Sequence, residues 1–374
     1  MLVKLTAMYS NEILAKQQRL SSYLAAHELD GVFLQTRANF AWITGGRDNH
    51  VVSASEGGFA AIFATPQKLV CLTTVIEAPR FRTEELAGSG IEVVEYPWWD
   101  AERASEIVSE VLGGQKVASD TNVFGLPALP PGFTKLRWAL TDTEIQRYRH
   151  CCQLTLSGLE SACRGIQVGD SEFDIVARIE FEVQRTGANP CVMLVSTDRR
   201  VFDYRHPIPT EKKLERYAML VVCAEYRGLI ANCTRFVHFG PLPADLRAKQ
   251  QAVCNVDTAV NLATRPGRTL GAIFADLQNA YAENGFAEQW KLHHQGGSTG
   301  FAGREVLGTP NCAAVVEMNQ AFAWNPSIAG TKSEDTVLIT SKGLEILTAA
   351  SANWPMVMGK CPAGELARPD ILIR

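Results

Sequence analysis

The stretch Val221-Val-Cys-Ala-Glu-Tyr-Arg-Gly-Leu-Ile-Ala-Asn-Cys-Thr-Arg-Phe236 reads as two strands around a tight turn. Apolar and β-branched residues fill the runs Tyr217 to Tyr226 and Leu229 to Phe239, and the pair left between them is short enough to fold one run back on the other. Upstream, Thr141 and Glu144 have the spacing of a capping box, in which each side chain satisfies a free backbone N–H, so a long helix is expected to follow. A second helix opens at Asp170-Ser-Glu, with Phe173, Val176, Ile179 and Val183 on one stripe and Gly187 at its stop. Downstream come a helical stretch from Ala244 to Thr264, a glycine-rich segment at His293, and a hairpin from Thr336 to Thr348 that turns at Lys342-Gly343. Strands and helices segregate here, which predicts an α+β layer over residues 141–374.

Residues 1–140 carry a different pattern. Strand-like runs at Gly31-Val-Phe-Leu-Gln, Gly58 to Ala64, Leu69 to Thr74 and Ile91 to Tyr96 alternate with helical stretches, the first with Leu20 and Leu24 on one face. This predicts a small α/β domain. Leu126-Pro-Ala-Leu-Pro-Pro-Gly continues neither a helix nor a central strand, because proline removes donors and fixes φ, so the boundary is set after it, near Leu140.

The 374 residues, 46% apolar and 20% charged, suffice for two domains with a large core. A net charge of −4 and a pI near 6.0 give no general attraction to nucleic acid or anionic lipid, and no basic patch stands out. No apolar run is long enough to span a membrane, and Met1-Leu-Val-Lys-Leu-Thr-Ala turns polar too soon for a secretory signal, so a cytoplasmic protein is expected. The ten cysteines show no Cys-x-x-Cys pair and no disulfide rhythm, as expected of buried thiols in a reducing compartment.

Several stretches together resemble the pita-bread superfamily of creatinase, prolidase, Xaa-Pro aminopeptidase and methionine aminopeptidase. They are Asn39-Phe-Ala-Trp-Ile-Thr-Gly45, Tyr204-Arg-His206, Glu225-Tyr-Arg-Gly228 with Thr234-Arg235, His293-His-Gln-Gly-Gly-Ser-Thr-Gly-Phe301, Asn325-Pro326 and Glu334-Asp-Thr-Val-Leu-Ile-Thr340. The resemblance covers nearly the whole chain. It implies a C-terminal pita-bread domain behind a smaller creatinase-type domain, and a homodimer. In metal-dependent members two Asp, one His and two Glu bind two divalent ions. The corresponding positions here are Val221, Asn232, Gly297 (or Ser298 with a slip of one), Asn325 and Glu334. Only Glu334 keeps a ligand side chain, and neutral amides with a valine do not balance two doubly charged ions, so no metal and no cofactor is expected.

The same resemblance makes His206 the proton-transferring group, as in metal-free creatinase, although that enzyme's glutamate near Thr234 is missing here. Arg304 stands where relatives have a second substrate-contacting histidine. A guanidinium suits a carboxylate held in two contacts, or else an internal partner such as Glu334. Asn232 and Asn325 offer donors and acceptors to a polar ligand, or to each other in a residual network. His293 and His294 are adjacent and are not expected to face one site from a strand, so one of them, with His294 as the candidate contact, should line the cavity. Gly45 to His50 reads as a polar loop after a strand, and the resemblance lets Arg47 and His50 reach a neighbouring subunit's cavity. The first reading is a metal-independent hydrolase of a C–N bond in a small polar, carboxylate-bearing substrate, with His206 and Glu334 catalytic and Asn232, Asn325, Arg304, His294 and Arg47 binding. The alternatives are a non-catalytic binding protein of the same fold and an Xaa-Pro peptidase with an atypical metal site.

Overall fold

The computed structural model describes residues 2–374, with side chains from residue 11 onward. The chain folds as two compact units, residues 1–137 with 141–144, and residues 138–140 with 145–374.

The first unit opens with helix α1 (Leu2–Ala26), followed by β1 (Gly31–Thr36), α2 (Arg37–Ile43), β2 (Gly57–Ala64) and β3 (Leu69–Thr74). After the short turn α3 (Ala78–Arg80) come β4 (Glu92–Tyr96), α4 (Ala101–Leu112) and β5 (Val117–Ser119). The five strands form one sheet in the order β4-β3-β2-β1-β5. Its pairs β1/β5 and β3/β4 are parallel, which requires crossovers and gives the α/β character read from the sequence. Phe33, Phe63, Val70 and Leu72 pack beneath Val108 and Leu112 of α4. The stretch before Gly45, expected as a strand, is the helix α2 instead, with Asn39 to Ile43 all buried. Its run of apolar residues is equally compatible with a buried helix, and periodicity alone does not separate the two.

The second unit takes in α5 (Asp142–Gly165) from Ile145 onward and α6 (Glu172–Gln184), then β6 (Asn189–Thr197), α7 (Arg199–Asp203), β7 (Tyr217–Tyr226) and β8 (Leu229–His238). Thr141 N–H donates to Glu144 Oε2 at 2.7 Å and Glu144 N–H to Thr141 Oγ1 at 3.3 Å, the reciprocal cap predicted for α5. Helices α8 (Ala244–Ala263) and α9 (Leu270–Glu283) follow, then β9 (Gly296–Thr299), β10 (Val306–Leu307), β11 (Ala321–Trp324), β12 (Ser327–Ile328), β13 (Thr331–Lys332), β14 (Val337–Thr340), β15 (Gly343–Ile346), β16 (Met356–Cys361), β17 (Gly364–Pro369) and β18 (Leu372–Ile373).

Two larger sheets, β18-β8-β7-β6 and β10-β9-β11-β14-β15, are each backed by a helix pair, and β12-β13 and β16-β17 form two-stranded sheets beside them. Leu159, Cys163, Ile175, Ile179 and Val183 of α5 and α6 bury against Leu220, Val222 and Cys233 of the first sheet. Val256, Val260, Ile273 and Leu277 of α8 and α9 bury against Phe322, Trp324, Val337 and Ile339 of the second. Because side chains alternate along a strand, Val221 and Cys223 point away from the α5/α6 side, paired across the hairpin with Thr234 and Asn232. That second face carries the candidate site.

The expected stripe on α6 is corrected at its first position. Phe173 is 54% exposed, and the buried row runs through Ile175, Ile179 and Val183. Phe173 falls in the first turn of the helix that the Ser171/Asp174 capping box opens, off the face that Ile175, Ile179 and Val183 bury. Ile179→Ala should therefore lower unfolding free energy by about 2–4 kcal/mol. Phe173→Ala should cost less than about 1 kcal/mol in the same urea titrations.

Candidate functional site

Glu334 follows β13 and is 3% exposed, yet it stays ionised because it is enclosed by positive charge. Its Oε1 accepts from Arg304 Nη2 at 2.9 Å, and its Oε2 lies 2.7 Å from Lys332 Nζ and accepts from Thr234 Oγ1 at 2.7 Å. Burial alone would raise its pKa; Lys332 first and Arg304 second outweigh that and hold the carboxyl at about 2. Arg304 also donates from Nη1 to Asn232 Oδ1 at 3.0 Å, while Asn232 Nδ2 donates to Thr299 Oγ1 at 3.1 Å. Asn232 is thereby satisfied internally. Of the two partners considered for Arg304, the structure supplies Glu334. Lys332, which sequence reasoning did not single out, completes the cluster from the two-stranded β12/β13 turn.

The five positions that the resemblance maps to metal ligands do not fit a pair of divalent ions. Val221 has no donor atom, both oxygens of Glu334 are engaged, and Asn232 Oδ1 accepts from Arg304. Gly297 adds a steric reason: its φ is +151°, and a Cβ there would sit 2.1 Å from the Val306 carbonyl oxygen. No side chain, and so no histidine, fits that backbone unless β9 and β10 separate. Asn325 Oδ1, Ser298 Oγ and Arg304 Nε are buried and meet no hydrogen-bond partner among the described residues.

Beside this cluster lies a group of imidazoles. His206, in the loop after α7, places Nε2 3.0 Å from His293 Nε2, and His293 Nδ1 lies 3.2 Å from Ser327 Oγ. His294 joins them, with ring centroids 5.3 Å from His206 and 4.7 Å from His293. The expectation that only one of the two adjacent histidines faces the site is thus corrected. Strict alternation holds within a paired strand, and His293 and His294 sit at a bend before β9 begins. Burial, then Lys332, pushes His293 down to about 2. His294 keeps one exposed face, but burial of the rest of its ring and then Arg304 bring it to about 4. His206 is lowered by burial and then by Lys332. All three are neutral at pH 7.

Arg47 and His50 belong to the first unit. His50 Nδ1 is hydrogen-bonded to Asp48 Oδ2, and the Arg47 backbone N–H donates to Thr44 Oγ1 at 3.3 Å.

These shifts fix the direction of acid sensitivity. A histidine held neutral in the fold but titrating near 6.5 when unfolded contributes stability above that pH and loses it as pH falls toward its folded value. Glu334 acts in the same sense below 4.5. Melting temperature should fall from about pH 6.5 downward, and His293→Gln should flatten the limb between pH 6.5 and 4. Glu334→Gln, which removes the carboxylate from the buried Lys332 and the half-buried Arg304, should cost about 3–5 kcal/mol by chemical denaturation at pH 7.

The described helices include none long and apolar enough to cross a membrane. Residues 146–341 match the family model for metallopeptidase family M24, and residues 16–146 match the creatinase/prolidase N-terminal domain. The chain is 22% identical to an uncharacterized peptidase of Staphylococcus saprophyticus over 355 residues, which cover 89% of this chain and 99% of the relative. Among solved structures it resembles the Xaa-Pro dipeptidase of Bacillus anthracis (TM-score 0.74, 18% identity, 97% and 100% of the two chains). It also resembles the prolidase of Pyrococcus horikoshii (TM-score 0.75, 18% identity, 90% and 99%). With a pita-bread domain behind a creatinase-type domain, the chain belongs to metallopeptidase family M24.

Proposed function

We propose that this chain is a hydrolase that cleaves a C–N bond of a small carboxylate-bearing molecule without divalent ions, with His206 as the proton-transferring group. The observation that carries the reading is the line Ser327–His293–His206, joined at 3.2 and 3.0 Å. In the tautomer where His293 Nδ1–H donates to Ser327 Oγ, His293 Nε2 accepts from His206 Nε2–H, and His206 Nδ1 keeps a free lone pair. That nitrogen takes a proton from water as the water oxygen bonds to the substrate carbon. The proton then passes to the nitrogen that leaves as the C–N bond breaks.

The substrate class follows from charge. Arg304 and Lys332 against Glu334 leave one net positive charge in a largely buried cluster, which favours an anion. The unpartnered Arg304 Nε–H and Asn325 Oδ1 supply a donor and an acceptor for its polar atoms. Glu334 and Asn232 then position Arg304 rather than touching the reacting atoms, and His294 lines the approach. Arg47 is assigned to the carboxylate end from the neighbouring subunit of a homodimer, which sedimentation equilibrium tests directly.

A second reading, a non-catalytic binding protein, is favoured by the internal closure of the Arg304–Glu334–Lys332 cluster. The two separate in a thermal-shift screen of acyl amino acids, guanidino acids and proline dipeptides, followed by mass-spectrometric turnover assays on each compound that stabilises the protein. The hydrolase reading expects turnover, with His206→Ala reducing kcat by about 100-fold or more while binding persists. Stabilisation without turnover, or turnover unchanged in His206→Ala, would reject the role given to His206.

A further inference from the structure

We propose that His206, His293 and His294 form a binding site for one imidazole-preferring divalent ion, Zn2+ being the type case, apart from the five positions of the family's two-metal cluster. Each ring offers a nitrogen, and the three nitrogens lie within 4.8 Å of one another. Tetrahedral zinc with Zn–N of about 2.0–2.1 Å needs neighbouring nitrogens about 3.3 Å apart. The His206 and His293 Nε2 atoms are 3.0 Å apart, so a few tenths of an ångström of opening admits the ion. A metal there takes the place of the proton that the two nitrogens share.

The supporting contacts suit ligands. Ser327 Oγ faces His293 Nδ1 at 3.2 Å and orients the ring, while the backbone N–H of Ser327 is itself held by Tyr281 Oη at 2.7 Å. Gly296 N–H reaches His294 Nδ1 over a long 3.3 Å, so turning that ring toward a metal gives up little. His206 and His294 are exposed, which leaves the ion a path from solvent. The nearby Lys332 and Arg304, only half offset by Glu334, oppose a dication. That opposition selects ions that gain most from imidazole nitrogen and excludes Mg2+, Ca2+ and Mn2+, whose preferred ligands are oxygens.

A metal on His206 Nε2 leaves the proton of the neutral ring on Nδ1, the nitrogen through which His206 would take one up, so it acts as a blocking ion rather than a cofactor. That consequence rests on the hydrolase reading; the binding itself does not.

The test is a titration of chelator-dialysed full-length protein with Zn2+ against a chromophoric competitor, repeated with Co2+ and followed by visible absorption. One ion per chain is expected, with Co2+ bands of a four-coordinate site made of three imidazole nitrogens and a water. His206→Asn and His293→Asn, checked for folding by circular dichroism, should each weaken binding about 100-fold or more. Glu334→Gln should bind within about tenfold of the parent. Saturable binding that fails to appear below about 100 µM Zn2+, or two ions per chain lost in Glu334→Gln, would overturn the site. The first outcome leaves the hydrolase reading standing, and the second removes both.

Discussion

Glu334, enclosed by Arg304 on one oxygen and Lys332 and Thr234 on the other, is the contact on which the rest of the cavity depends. An isolated buried carboxylate would give up its charge, because desolvation costs several kcal/mol. Two cations within 3 Å keep it ionised. A cluster of divalent ions would meet the same need for positive charge, but here side chains meet it with permanent charges on the protein's own chain. Asn232 accepts from the guanidinium and orients it. Gly297 lets β9 run closer to β10 than a side chain would allow.

The histidines gain their character from that cluster. Lys332 contributes to lowering all three, and Arg304 to lowering His206 and His294, so the imidazoles are neutral at pH 7 and their lone pairs are available. A neutral imidazole can take a proton or bind a soft cation, and the same geometry serves both. The Glu334 carboxylate is sealed by its cations, and the imidazole nitrogens lie beside it. This separates structural charge from usable chemistry within one cavity. A second ion-pair group, Arg235 and Arg368 on Asp335 with Arg368 also on Asp257, is fully buried and holds the segment between β13 and β14 at the residue that follows Glu334.

Much of this was legible in the sequence, wherever a local rule acts alone. The β7/β8 hairpin and the Thr141/Glu144 cap follow from periodicity and capping chemistry. What escaped depends on three-dimensional neighbours. Lys332 has no motif, and its role appears only when the β12/β13 turn brings its ammonium onto Glu334, two residues on. The meeting of His293 and His294 with His206 joins residues 87 and 88 positions apart, through a bend that the alternation rule does not describe. The helix α2 was hidden because a short, fully buried apolar run carries no period.

The central claim, that side-chain cations occupy the electrostatic role of divalent ions around Glu334, is tested most directly by diffraction from crystals soaked in Mn2+, with anomalous difference maps recorded at the manganese edge. The account predicts no anomalous peak within coordination distance of Glu334, with Arg304 and Lys332 still seated on its two oxygens. One or two bridged manganese peaks there, with either cation swung away, would contradict it.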